Sequence, residues 1–330
     1  MLSRYRRGLF VFFFLLVWAP LIFGLVAPQS ALIPEKEKRP LSAAPSWPVS
    51  FQGLSTIPSK LEAFLSDRIG LRSEMIRLYA NLDRRLLRSG TSTVLVGSDD
   101  HFFYKLDNAV LQSTGIVPRN DDVGDTVRLL AEMRDKLEQL GIKFVVAFPP
   151  NAASIDYEAL PRWLRNRAKI TEYDTLLEGL RLQHVTVVDL RSPLTEAKNT
   201  GKVYFLHDTH WTPRGAIIGF NSIVEATGRP EWKLDVNASL LEPMQRRGGD
   251  LAQMIGLEED VTESVQNLSL SPSPEIVLPS EHQFGDSGQP PFSETGRPRG
   301  ETLLLIGDSF TRWFFPPLLI SHVGRFVWMH

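Results

Sequence analysis

An apolar run, Thr302-Leu303-Leu304-Leu305-Ile306, stops abruptly at Gly307-Asp308-Ser309-Phe310. A buried strand that ends in such a turn presents a serine hydroxyl at the carboxyl end of a sheet, where α/β proteins keep their chemistry. A serine alone is a weak nucleophile; it needs a base, and the base needs a group to orient it. Asp208-Thr209-His210-Trp211 contains both. Residues i and i+2 of an extended segment project from one side, so His210 can face Ser309 while Asp208 holds the ring. The chemistry this predicts is acyl transfer. His210 takes the proton of Ser309, and Asp208 fixes the tautomer and stabilises the imidazolium.

Each motif has a plainer reading. Gly-Asp-Ser is a common turn, and the chain carries a second copy at Gly285-Asp286-Ser287 with no strand before it. A single histidine is more often structural than catalytic. His207, Asp208 and His210 could be imagined as metal ligands, but no distant carboxylate or histidine completes the set, so no metal is assigned. Trp211 could stack on a sugar ring or belong to the core. The two motifs together, each at a strand edge, favour the catalytic reading.

The elements that must position them alternate in the α/β manner. Val94–Gly97 and His101–Tyr104 read as a hairpin turning at Ser98-Asp99-Asp100. Asp125–Leu140 carries Val127, Leu130, Met133, Leu137 and Leu140 on one face, with Gly141 as its stop. Ile142–Phe148 is an apolar strand ending at Pro149-Pro150. Thr171–Leu182 reads as a helix and Val185–Leu190 as a strand. Thr212-Pro213 caps and opens a helix to about Thr227. This order predicts a flavodoxin-like parallel sheet flanked by helices. Between Gly228 and Gly300 the pattern dissolves; Ser269–Gly300 holds six prolines, the composition of a surface loop or insertion.

The 330 residues balance 36 basic against 38 acidic side chains, so no long-range field favours nucleic acid. Cysteine is absent, which excludes disulfides and cysteine-ligated zinc. Gly8–Ala27 is a run of 20 uncharged residues, matching the ~20 needed to cross a bilayer core. Arg4, Arg6 and Arg7 before it favour a cytoplasmic N-terminus, a bias blunted by Lys36, Lys38 and Arg39. Pro28 directly after Ala27 disfavours cleavage there, so residues 1–27 read as an anchor in preference to a signal peptide. Five prolines make residues 28–50 a semi-extended tether. Ser59–Arg88 reads as two amphipathic helices broken near Gly70. The remaining 51–330 form the extracytoplasmic domain, with an insertion over 228–300.

Asp208-Thr209-His210-Trp211 with the downstream Gly307-Asp308-Ser309-Phe310 resembles the SGNH-hydrolase-like domain of the alginate O-acetylation family, the AlgJ/AlgX-like polysaccharide O-acetyltransferases. The likeness extends to Phe64–Arg72, Gly97–Tyr104, Pro149-Pro150-Asn151 and Gly248-Gly249-Asp250-Leu251-Ala252, and so spans roughly residues 51–330. The resemblance implies an SGNH-hydrolase-like fold held at the inner membrane by the N-terminal helix, with the domain in the periplasm of a Gram-negative bacterium. It implies no cofactor. A membrane-bound O-acyltransferase would bring acetyl groups across the membrane, Ser309 would carry one, and a hydroxyl of an exopolysaccharide acceptor would take it. Asp208, His210 and Ser309 map onto the family triad in the Asp-x-His order of the alginate group. Asn151, Trp211 and Gly249 are the candidate substrate contacts, and the Ser309 N–H, Asn151 and the Gly248-Gly249 backbone are candidates for the oxyanion hole. The stretch beyond Ser309 is shorter than the family leads one to expect, which makes Arg325–Met329 an edge strand or the chain truncated. No carbohydrate-binding module is appended, so polymer capture is expected from a partner or from the cleft. An acetyl esterase using the same three residues, or a non-catalytic scaffold, are the alternatives.

Overall fold

The computed structural model describes residues 2–26, 42–46, 55–67, 72–88, 90–165, 170–269, 300–312, 314–319 and 322–329. The Pro-rich stretch 270–299, most of the tether and the break near Gly70 lie outside these. The chain divides into two units, Met1–Leu82 and Asp83–His330.

The first unit contains α1 (Leu2–Val26), α2 (Ile57–Asp67) and α3 (Arg72–Leu82). Within α1, Tyr5–Gly24 is long and apolar enough to cross a membrane, and Pro20 sits inside it.

The second unit opens with the hairpin of β1 (Val94–Val96) and β2 (Phe102–Tyr104), paired antiparallel with Val96 opposite Phe102. Its turn places Asp99 and Asp100 at φ 54° and 61°, a left-handed conformation that aspartate tolerates better than most residues. After α4 (Ala109–Ser113) comes α5 (Asn120–Gln139), then β3 (Val145–Ala147). Two short helices, α6 (Ala152–Ile155) and α7 (Arg162–Arg165), lead to α8 (Glu172–Leu182). The Thr171 hydroxyl accepts from the Asp174 N–H while the Asp174 carboxylate accepts from the Thr171 N–H, a capping box that starts α8. β4 (Thr186–Val188) then lies parallel to β3. It is followed by α9 (Arg191–Ala197) and by α10 (Pro213–Ala226), which is capped by the Thr212 hydroxyl with proline at its first turn.

Residues 228–269, featureless by hydrophobic period, hold a hairpin of β5 (Met244–Arg247) and β6 (Thr262–Val265) with α11 (Asp250–Met254) between them. β7 (Thr302–Ile306) runs into α12 (Ser309–Arg312) and α13 (Phe315–Leu319), and the chain returns as β8 (Arg325–Met329), parallel to β7. The parallel pairing expected from the alternation is present as two pairs, β3–β4 and β7–β8. Among the described residues they are separate two-stranded sheets and not one continuous sheet.

The core that supports the site gathers Leu160, Leu190, Tyr204, Trp211, Phe220, Phe315, Phe326 and Trp328. In α10, Ala216, Phe220 and Val224 recur at helical spacing and are all buried. Each such large apolar side chain contributes about 1.5–3 kcal/mol by leaving water. That packing ties α10 and the β7–β8 end of the unit together around Trp211.

Candidate functional site

Asp208 and His210 do not lie in an extended strand. Tyr204 and Trp211 pair across a narrow antiparallel bridge, with Thr212 N–H donating to Val203 O at 2.9 Å, and residues 206–210 bend across its tip. Asp208 Oδ1 accepts the His210 backbone N–H at 3.1 Å and bonds the same residue's Nδ1 at 2.7 Å. An aspartate that bonds the backbone two residues on makes a turn of its own. The i, i+2 spacing therefore brings carboxylate and imidazole together through a turn, not through the side-alternation of a strand.

The other carboxylate oxygen, Asp208 Oδ2, accepts from Arg246 Nη2 at 2.6 Å and from the Asp250 N–H at 3.4 Å. Burial alone would raise the Asp208 pKa, but the bonds from His210 and Arg246 outweigh it and hold the carboxyl well below the usual range. For His210, burial favours the neutral ring, and the hydrogen bond and charge of Asp208 overcome it, so its pKa is raised. With Nδ1–H given to Asp208, the lone pair of the neutral ring sits on Nε2.

Asp250, at the start of α11, accepts the Thr209 N–H at 2.7 Å and also bonds the Thr209 hydroxyl; its Oδ2 lies 3.7 Å from His210 Nδ1. Asp208, His210 and Asp250 thus present atoms within 4.8 Å of one another, a spacing a metal ion could use. Asp208 is bonded to His210 and Arg246, and Asp250 to Thr209, and the guanidinium of Arg246 beside them opposes a second cation.

Ser309 is half-buried at the first residue of α12, directly after the turn that ends β7. Gly307 N–H continues the strand pairing to Met329 O at 2.9 Å, and Asp308 Oδ1 accepts the Phe310 N–H at 3.0 Å. Ser309 and His210 share no hydrogen bond; Phe310 brings their segments together. Its ring packs 5.1 Å from the His210 ring, and its carbonyl accepts Trp211 Nε1–H at 3.0 Å. Trp211 itself is 0% exposed and stacked on Phe315 at 5.7 Å. It has no surface to offer a sugar. The substrate contact considered for it gives way to a core role, which is to pin the His210 turn to the Ser309 turn.

Asn151 is exposed at the start of α6 and donates from Nδ2 to Ser113 Oγ at 3.1 Å; it lines one small cavity with Asp208 and Thr209. Gly249 has φ +148°, and a Cβ there would fall 2.2 Å from His207 O and 3.0 Å from Asp208 Cβ. Its backbone packs flush against the turn that carries Asp208. Gly249→Ala is expected to destabilise the protein by about 3 kcal/mol, through backbone strain and the clash together. Denaturant unfolding checks this, with Gly124→Ala in α5 as control. An added Cβ at Gly124 meets nothing within 4 Å, so a gain of about 0.5–1 kcal/mol is expected there.

Arg246 and Asp250 escaped assignment from the sequence. Asp250 lies in a segment that supported the resemblance, without a role. Arg246 gives no signal, being one of two adjacent arginines on a polar strand.

A serine at the end of a parallel strand with an aspartate–histidine pair in the neighbouring turn is the organisation of the SGNH-hydrolase-like α/β proteins. More narrowly, a family model described as SGNH hydrolase-like domain, acetyltransferase AlgX, matches residues 94–330, well over half of the chain, and the chain belongs to that family. It is 28% identical over 152 residues to a probable alginate O-acetylase AlgJ of Pseudomonas putida, covering 46% of this chain and 38% of the relative. It is 26% identical over 254 residues to the probable alginate O-acetylase AlgJ of Pseudomonas aeruginosa, covering 72% of this chain and 61% of the relative. The chain spans between 38% and 62% of the length of the curated relatives it matches. The solved O-acetyltransferase domain of Pseudomonas putida AlgJ superposes with a TM-score of 0.39 at 23% identity, over 53% of this chain and 64% of that one.

Proposed function

We propose that this protein is an O-acetyltransferase that moves acetyl groups onto hydroxyls of an alginate-like exopolysaccharide through an acetyl-serine at Ser309. The observation that carries the proposal is the 2.7 Å bond from His210 Nδ1 to Asp208, in a turn packed on Phe310, the residue next to Ser309, within a member of an acetyltransferase family. In the first half-reaction, His210 Nε2 takes the Ser309 Oγ proton as Oγ bonds the acetyl carbonyl carbon. The tetrahedral intermediate collapses, the donor's leaving group departs with that proton, and Ser309 is left as an ester. In the second, a sugar hydroxyl gives its proton to Nε2, attacks the ester, and Ser309 leaves with the proton. Asp208 stabilises the imidazolium by its negative charge in both halves. Asn151, which lines the small cavity beside Asp208, and the Gly249 backbone are our candidates for contact with acceptor or oxyanion.

By the same reading, residues 1–27 anchor the chain in the inner membrane, 28–50 tether it, and 51–330 form the periplasmic domain. The family's work on a polymer outside the cytoplasm and the apolar helix α1 support this. A membrane-bound O-acyltransferase would supply the acetyl group. Residues 228–269 of the insertion are no passive loop, because they deliver Arg246, Gly249 and Asp250 to the Asp208 turn.

An acetyl donor such as p-nitrophenyl acetate, offered with and without mannuronate oligomers, tests the activity. Acetylated oligomer should form in excess of free acetate. Acetate release unaffected by the oligomer would make the protein an esterase and overturn the transferase assignment.

A further inference from the structure

Behind Asp208 lies a set of charged groups that the proposed mechanism does not use. Arg246 and Glu263 face each other across the β5–β6 pair. Arg246 Nη1 stands 3.9 Å from Glu263 Oε1, while Nη2 bonds Asp208 Oδ2 at 2.6 Å. The guanidinium also lies over the Phe205 ring, 4.1 Å from its centre. Glu263 has no exposed side-chain surface, and its Oε2 accepts the Leu206 N–H at 2.8 Å, two residues before Asp208. Its Oε1 is also 3.7 Å from Nδ1 of the buried His207, whose Nε2 lies 3.3 Å from Asp100 Oδ2. Among the described residues Oε1, Arg246 Nη1 and His207 Nδ1 have no hydrogen-bond partner, so charge and not a close bond joins Glu263 to Arg246.

A buried glutamate is costly unless a cation compensates it. Arg246 is held from three sides, by Glu263, Phe205 and Asp208, and has little freedom to turn away. Its charge sits on the very carboxylate that must steady His210 as an imidazolium. A cation on one carboxylate oxygen draws on the attraction the other offers to the imidazole. A carboxylate behind that cation restores part of it.

We propose that Arg246, compensated by the buried Glu263, is a positioning residue that locks the Asp208 carboxylate against His210 and tempers the basicity of His210. The inference rests on His210 being the general base. Its test reads the imidazole itself, so it stands or falls apart from acetyl transfer.

The other charged groups facing His210 are Asp208, Asp250 and Asp308, and all three are unchanged in the variants. Arg246→Met leaves the Asp208 carboxylate with no guanidinium to share with the imidazolium. The His210 titration followed by NMR, and the acid limb of kcat/KM, should both move to higher pH by about one unit, a tenfold rise in proton affinity. Glu263→Gln keeps an oxygen for the Leu206 N–H but removes the charge behind Arg246. Both readouts should move to lower pH, by about half a unit. A merely structural pair would not give shifts of opposite sign. If Arg246→Met does not fold, Arg246→Lys keeps the charge without the fork and should give a smaller upward shift. The proposal fails if either folded variant leaves the His210 titration where it is in the native chain, or if both move it in one direction.

Discussion

Ser309→Ala should remove acetyl transfer almost completely, lowering kcat by roughly 10⁴-fold or more, because the atom that forms the ester is gone. The nearby hydroxyls offer no substitute. Thr209 Oγ1 is bonded to Asp250, and Thr311 Oγ1 donates to Asp308 O at 2.9 Å while accepting from Trp328 Nε1 at 3.1 Å. Ser309 Oγ alone among the three has no hydrogen-bond partner among the described residues, as a hydroxyl that must swing toward a base and a carbonyl requires. The variant should fold as the native chain does, since the serine side chain holds nothing in place. Intact mass after brief exposure to p-nitrophenyl acetate checks the covalent step: the native chain gains one acetyl group and the variant none. Acetylation of polymer at the native level in cells carrying Ser309→Ala would establish the scaffold reading instead.

Part of the scaffold around this site was legible in the sequence, and the reason is local. The apolar run before Gly307 and the Thr212-Pro213 cap are each signals within a few residues, and both survive close to their expected bounds, whereas the Asp208/His210 spacing joins the two side chains through a turn in place of the expected extended segment. Helix α5 starts at Asn120, earlier than its apolar stripe, because its first turn is acidic and exposed. The strands are shorter than their apolar runs, as in Ile142–Phe148, where only Val145–Ala147 pairs. Three-residue pairing leaves the flanks free to bend. Where the sequence misled, tertiary packing had the last word. Trp211 carried equal promise as sugar platform and as core until its position between Phe310 and Phe315 decided the matter. The β5–β6 arm escaped notice because its stability is cross-strand. Met244, Gln245, Arg246 and Arg247 show no apolar alternation, and what fixes them is pairing with a strand nearly twenty residues away whose one buried charge, Glu263, answers Arg246. Such a pairing has no hydrophobic period to betray it.

Asp208→Asn is expected to lower kcat by about 10³–10⁴-fold while the protein stays folded. An amide can still accept the His210 N–H and keep the turn, but it cannot hold Nδ1–H as strongly, and it offers no charge to the imidazolium. Arg246 makes the loss worse in this protein than the missing carboxylate alone would. With Asp208 neutral, its guanidinium faces the histidine with no anion between them, and the His210 titration should fall sharply as well. The second carboxylate sets the limit of the damage. Asp250 Oδ2 is 3.7 Å from His210 Nδ1, near enough to take the proton's partner role after a small rotation. Asp250→Asn alone should cost about tenfold or less, because in the native chain Asp250 mainly holds Thr209. In the Asp208→Asn background the same change should cost about a hundredfold, and this non-additivity measures how far Asp250 stands in. Steady-state kinetics on the four chains of the cycle decide it. Losses that simply multiply would leave Asp250 a structural tie to the Thr209 turn, and the orientation of His210 to Asp208 alone.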